Sequence, residues 1–264
     1  MIIDFVKTSP SQNTTVLITS FCPPERYVEV ARKVMGYEYL HAEQVGFIVP
    51  PGNENSVIGL KMAGGEFCGN ASLSAAAYAR YKGICEAKEF LIDVSGADHP
   101  LRCYVEQKSR FVYNAKCEMP PPVYIREFTV RVGQQEVTGS VVNLQGISHF
   151  VFELWPEVQL FDDILELLKN HINASALGVV PYRKINELEY EIKPYIHVRE
   201  TDSRIFEKGC GSGSLALGLH LKEKDITGKL NVCQPGGIIK VETGEITYIS
   251  TDVKVTCEGS ILLE

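Results

Sequence analysis

Apolar and polar residues alternate over residues 1–20, the two-residue period of strands. Residues 24–36, PERYVEVARKVMG, change to helical spacing, with proline at the start and Gly36 at the end. Strand-like runs follow at 45–49 and 56–62. Residues 64–83, GGEFCGNASLSAAAYARYKG, combine glycines and a cysteine with an Ala-rich helical stretch closed by Gly83. Strand alternation returns at 88–117, 123–132 and 137–155. A helix is predicted at 159–173, QLFDDILELLKNHIN, and strands again near 188–198. Then comes FEKGCGSGSLALGLHLKEK at 206–224, followed by strands through 264 with a turn at 234–237.

Pro120, Pro121 and Pro122 interrupt this series, because proline supplies no N–H and restricts the residue before it. We place a domain boundary there: one half spans 1–120, with the last strand, 256–264, as a candidate completion, and the other spans 121–255. The halves repeat one plan, as EFCGNASLSAAAYARYKG and EKGCGSGSLALGLHLKEK show, and Cys68 and Cys210 stand 142 residues apart at equivalent places. A repeat this long indicates two similar domains; solenoids repeat every 20–50 residues or so.

Composition narrows the function. Hydrophobic residues at 45% can supply a core, and the net charge of -7 without a basic cluster argues against a nucleic-acid partner. No apolar run approaches the ~20 residues of a membrane span, and the N-terminus lacks the features of a signal peptide. The expected location is cytoplasmic, without a membrane partner. There, the eight cysteines, which form no CxxC pair, are expected as thiols, most of them core filling.

Cys68 and Cys210 are different. Each begins a Cys-Gly turn entering a helix, where backbone N–H groups lack intrahelical partners and the helix dipole is positive. Such a turn can hold a carboxylate, here on Gly69 and Asn70 or on Gly211 and Ser212. It also favours the reactive thiolate. Two such turns acting on one amino acid, one thiolate and one thiol, would remove the α-proton from one face and return a proton to the other. A single Gly-rich turn is a weak signal. A matched pair in two half-chains is hard to explain as packing.

FCGNA at 67–71 and CGSGS at 210–214 resemble the two cysteine motifs of the diaminopimelate epimerase superfamily. The resemblance runs over the whole chain. It implies a cofactor-independent (PLP-independent) isomerase with Cys68 and Cys210 as its catalytic pair. The implied fold class is α/β (α+β): two pseudo-symmetric domains, each a curved, mostly antiparallel sheet wrapped around a central helix. Asn13, in the turn PSQN at 10–13, matches the family's first-loop substrate asparagine. Gln44 in EQVGFI, His149 in GISHF and the turn QPGG at 234–237 match positions near its site.

Three stretches depart from the diaminopimelate pattern. A Gly-Asn-Pro-His segment is Gly146-Ile147-Ser148-His149 here, an Asn-containing strand is Gly178-Val179-Val180-Pro181, and the region Arg199-Glu200-Thr201-Asp202 lacks a Glu-Arg pair at the expected offset. The polar clamp for a second carboxylate is thereby lost. The nearer likeness, through EQVGFI, GGEFCGNA, Glu207 and QPGG, is to the histidine racemases of opine-metallophore pathways, the staphylopine type.

That likeness implies racemisation of L-histidine to D-histidine, with Asn13, Gln44, Gly69, Asn70, His149, Glu207, Gly211 and Ser212 as candidate substrate contacts. Glu207 would orient or polarise Cys210, or simply favour the helix start. Epimerisation of diaminopimelate or another amino acid is the alternative chemistry. Thiol redox or metal binding is the non-enzyme alternative, weakened by the absence of short ligand spacings. Neither a metal nor a cofactor is expected. The expected partner is a small-molecule amino acid, and a homodimer is the oligomer considered.

Overall fold

The computed structural model describes residues 1–199 and 202–264; Glu200 and Thr201, in the stretch where the Glu-Arg pair is missing, lie outside the described residues. The chain forms a mixed α/β structure that divides into two compact units, Met1–Met119 with Ile249–Glu264, and Pro120–Tyr248.

The first unit contains β1 (Ile2–Pro10), β2 (Thr15–Ile18), α1 (Tyr27–Met35), β3 (Gln44–Val49), β4 (Ser56–Met62), α2 (Gly69–Tyr81), β5 (Glu89–Val94), β6 (Leu101–Ser109) and β7 (Val112–Met119). The second contains β8 (Tyr124–Val132), β9 (Gln135–Leu144), β10 (Ile147–Glu153), α3 (Val158–His171), β11 (Ala176–Asn186), β12 (Glu189–Ile192), β13 (Tyr195–Val198), β14 (Ser203–Phe206), α4 (Gly211–Lys222), β15 (Gly228–Gln234) and β16 (Gly237–Thr243). The long β17 (Thr247–Leu262) returns the chain to the first unit from Ile249 onward.

Strand pairing in the first unit runs from β1 through β2, β3, β4, β5, β6 and β7 to β17, which pairs back onto β1 with Ile3 opposite Ile261. The sheet thus closes on itself and leaves no open edge in that circuit. Helix α2 packs against β1, β2, β3, β4, β6 and β7, and every residue from Gly69 to Ala79 is buried. Its sequence, GNASLSAAAYARY, has small or apolar residues nearly all round, as a helix enclosed on all sides requires. Helix α1 covers the other side, where Val30 and Val34 join Ile3, Val16, Ile18 and Phe47 in one core and Tyr27 stacks on Phe47 at 3.8 Å. With a helix on each side, all four residues of β2 are buried, so its sequence, TVLI, shows little of the one-sided alternation of a half-exposed strand.

The second unit repeats this division. Helix α3 inserts Phe161, Ile164, Leu165 and Leu168 into a core with Val141, Phe150, Phe152, Leu177 and Val179. Helix α4 packs against β9, β10, β11 and β16, and all of its residues from Gly211 to Leu221 except Ser212 are buried. Because successive strand side chains point to opposite faces, Phe150 and Phe152 of β10 serve the α3 core. His149, between Ser148 and Phe150, takes the opposite side and reaches α4.

Most sequence-predicted elements appear within a few residues of their expected bounds. Residues 24–36 form a short 3-10 turn, Pro24–Arg26, before α1. The apolar pattern does not single out β11, whose sequence ALGVVPYRKIN contains a glycine and a proline, residues that normally weaken a strand assignment. Pro181 supplies no N–H to the sheet, while its carbonyl accepts from the N–H of Lys193.

At the far end of α4, His220 is fully enclosed. Its Nδ1 lies 2.8 Å from Ser140 Oγ and its Nε2 3.2 Å from the Tyr182 hydroxyl. Burial, helped by the nearby Lys224 charge, holds His220 down at about 4. The unfolded chain, with an ordinary imidazole near 6.5, therefore binds the extra proton first as pH falls. The stabilising contribution is complete above about pH 6.5 and is lost progressively toward pH 4. In urea titrations at pH 7.5, 6 and 5, the stability advantage of the native chain over His220→Gln should shrink by up to about 1.4 kcal/mol per pH unit below pH 6.5. A constant difference across that range would show that His220 does not titrate as described.

Candidate active site

Cys68 is the N-cap of α2 and its sulfur accepts from the N–H of Ala71 at 3.5 Å. Ser72 ties the same turn by donating its hydroxyl to the Cys68 carbonyl at 2.9 Å. The approach to Cys68 is held from beside. Ser95 Oγ donates to the Glu66 carbonyl at 2.8 Å and accepts from Met62 N at 2.9 Å. Gly96, at φ +74, lets the chain press against the loop: a Cβ there would overlap Phe67 N and lie 2.9 Å from Phe67 Cα. Neither Ser95 nor Gly96 is marked by any sequence motif.

In the same unit, Ser11 and Gln12 adopt positive φ in the turn that buries Asn13 completely. Asn13 Nδ2 donates to Glu43 Oε2 at 3.0 Å, while its Oδ1 is buried without a hydrogen-bond partner. Glu43 and Gln44 are brought to this turn because β2 and β3 run parallel with Thr15 opposite Gln44, and both their N–H groups donate to the Thr14 carbonyl. Gln44 is partly buried and Glu43 exposed. The sequence drew attention to Gln44; the side-chain bond from Asn13 Nδ2 goes to Glu43.

Cys210 is the N-cap of α4 and is 1% exposed. Its sulfur accepts from Gly213 N at 3.2 Å and lies 3.5 Å from Ser212 Oγ. His149, fully buried, stands behind Ser212 with Nε2 at 2.9 Å from Oγ. Burial alone pushes this imidazole down to about 3, so it is neutral at any ordinary pH. Gly211 is buried at the first position of the helix.

The helix start was expected to favour the thiolate. For Cys210 the balance goes the other way: burial pushes the thiol well up, and the Glu207 carboxylate, by its charge and by accepting from the thiol, adds to that. The hydrogen bonds from Ser212 and Gly213 oppose the rise without overcoming it. Desolvation wins because the sulfur sits where water cannot reach it.

Gln234 clamps this turn. Its Oε1 accepts from Cys210 N at 2.7 Å, its Nε2 donates to Ser214 Oγ at 2.8 Å, and Ser214 Oγ donates to the Cys210 carbonyl at 2.8 Å. The sequence marked QPGG as a turn, and nothing in it indicated that the glutamine side chain reaches back across the cysteine. Among the other cysteines, Cys103 and Cys117 lie buried and face each other at 3.0 Å across β6 and β7. Among the described residues no group of three or more His, Cys, Asp or Glu could hold a metal ion, and no helix is long and apolar enough to cross a membrane.

The fold is that of a class of racemases, epimerases and related enzymes. A probable proline racemase from Agrobacterium radiobacter superposes with a TM-score of 0.73 at 12% identity, covering 99% of this chain and 93% of the other. A hydroxyproline epimerase from Agrobacterium vitis gives 0.69 at 10% identity, covering 98% and 91%. A PhzF-family phenazine biosynthesis protein from Enterococcus faecalis gives 0.65 at 14%, covering both chains completely.

Sequence carries the assignment further. The family model for the histidine racemase CntK N-terminal domain matches residues 2–262. A histidine racemase from Fusobacterium nucleatum subsp. nucleatum is 33% identical, covering 99% of this chain and 98% of its own length. One from Staphylococcus aureus is 26% identical, covering 100% and 98%. The chain belongs to the histidine racemase family and is an isomerase acting as an amino-acid racemase.

Removing the Gln234 clamp leaves the buried Cys210 N–H without an acceptor. Gln234→Ala should therefore lower stability by about 1–3 kcal/mol in chemical denaturation, with racemisation falling alongside. Gly96→Ala, strained at positive φ and overlapping the loop before Cys68, should cost about 1–3 kcal/mol or more. A stability loss below ~0.5 kcal/mol in either variant would mean that the turn is held by other contacts.

Proposed function

We propose that this protein interconverts L- and D-histidine by moving the α-proton between Cys68 and Cys210, without PLP. The observation that carries the reading is the matched pair of helix-capping thiols, one in each unit, in a chain of the histidine racemase family. In this reading Cys210 rests as the thiol, the form favoured by burial and Glu207. Cys68 begins as thiolate and takes the α-proton, the electron pair passes into the carboxylate as an enolate, and Cys210 delivers its proton to the other face. The enzyme is left with the opposite protonation pattern and is ready for the D enantiomer.

The backbone N–H groups of Gly69 and Asn70, and of Gly211 and Ser212, lie at positive helix starts, where a carboxylate gaining negative charge is stabilised. The buried Oδ1 of Asn13 offers an acceptor for the substrate ammonium, with Glu43 and Gln44 beside it. A pseudo-symmetric arrangement of the two units, each with a helix enclosed by its sheet, is the diaminopimelate epimerase-like plan that this chemistry implies.

The test is a panel of L-amino acids, including histidine and diaminopimelate, incubated in deuterated water and followed at the α-carbon by NMR and by chiral chromatography. Histidine should exchange and invert, and diaminopimelate should not. Cys68→Ser and Cys210→Ser should each lower inversion by about 100-fold or more, while exchange on one face can persist. Inversion of another amino acid in preference to histidine would overturn the substrate, and full inversion in either serine variant would overturn the mechanism.

A further inference from the structure

We propose that Gly178 is a positioning residue whose bare backbone makes the slot for the His149 imidazole, fixing it as an Nε2–H donor to Ser212 so that the Ser212 hydroxyl donates its hydrogen bond to the Cys210 sulfur. The inference rests on Cys210 being one of the two proton-transfer groups.

Three features of the second unit carry it. In the parallel pairing of β10 and β11, His149 stands opposite Gly178. A Cβ at Gly178 would overlap His149 Nδ1 and lie 2.7 Å from its Cε1 and 3.0 Å from Ile196 Cδ1. The ring therefore occupies the volume that any other residue would fill. With His149 0% exposed, the imidazole has no solvent side to retreat to without giving up Ser212.

The second feature is the orphan. Nδ1 is buried with no hydrogen-bond partner, and Nε2 lies 2.9 Å from Ser212 Oγ. A neutral imidazole carries one N–H. Were it on Nδ1, a donor would be buried against the bare strand with nothing to accept it. Buried orphan N–H groups are rarer and costlier than unfilled acceptors. The proton accordingly sits on Nε2 and points at Ser212.

The third feature is direction. Ser212 Oγ, receiving from His149, has its own O–H left to donate, and Cys210 Sγ is 3.5 Å away, within reach for sulfur. The chain His149 → Ser212 → Cys210 stabilises the thiolate that forms when Cys210 has given up its proton. Because His149 is neutral it does so without a full positive charge, which would hold the proton off permanently.

Long-range 1H–15N spectra of histidine-labelled protein, with His149 assigned through His149→Ala, should show a protonated Nε2 and an unprotonated Nδ1, unchanged from pH 8 to 5. Gly178→Ala should displace these resonances. It should lower kcat by about 10- to 100-fold with KM within about threefold. In the His149→Ala background the ring is absent, and Gly178→Ala should then change kcat by less than about twofold. That double variant also serves if the single one does not fold. Ser212→Ala should lose about as much as His149→Ala, and the two losses should not add.

An Nδ1–H tautomer in the native protein, a wild-type imidazole spectrum in Gly178→Ala, or additive losses would each overturn the proposal. A native protein that inverts no amino acid would instead overturn the proton-transfer reading of Cys210, and the spectra would still decide the slot and the tautomer.

Discussion

A backbone N–H pointing at a thiol sulfur is the contact around which each unit is arranged. Ala71 N donates to Cys68 and Gly213 N to Cys210, three residues on in both cases. Sulfur accepts weakly, so this geometry persists only if the helix start cannot fray or rotate. The molecule meets that condition by burying nearly the whole helix. Burial on all sides favours Ala, Ser, Gly and Leu along α2 and α4, and His220 of α4 is accommodated because Ser140 and Tyr182 meet its two ring nitrogens. Such burial also requires strands around the helix, which in the first unit close into a continuous circuit.

That dependence explains what was legible in the sequence. The two Cys-Gly turns with their small-residue helices stand out because enclosure leaves so narrow a choice of residues. The amphipathic helices α1 and α3 are visible through their helical period, since each has one wet side. Strand β11 is not visible in this way. It carries a glycine and a proline inside a run buried on both sides, and the reason for the glycine is the His149 ring, a residue far away in sequence.

Side-chain partners were still less legible. Asn13 and Gln44 were singled out from the sequence, but the side-chain bond just before β2 and β3 joins Asn13 to Glu43. Ser95, Gly96 and Gln234 hold the two cysteine turns from strands or loops distant in the chain. No spacing rule reaches them, because each acts across a tertiary contact on another residue's backbone. His149 presents a related difficulty. The run ISHFVF is apolar on both faces, so only the order of the helices, with α3 on one side and α4 on the other, decides which of its residues reaches Ser212.

The environment of Cys210 contains opposed influences. Burial and Glu207 favour the protonated thiol, and Ser212 with Gly213 N favours the thiolate. For a racemase this opposition is informative. Enantiomers have equal free energy in an achiral solvent, so a racemase has equal kcat/KM in both directions; in the two-base mechanism proposed above, each sulfur would serve as acid in one direction and base in the other. A thiol surrounded only by donors would become a permanent thiolate, and one in an apolar pocket a permanent acid. A half-buried carboxylate acceptor on one side and a hydroxyl donor on the other give both protonation states a partner. The neutrality of His149 preserves that balance: an imidazolium behind Ser212 would pull the proton equilibrium to one side, whereas a buried neutral ring sets the direction of the hydroxyl and adds no net charge.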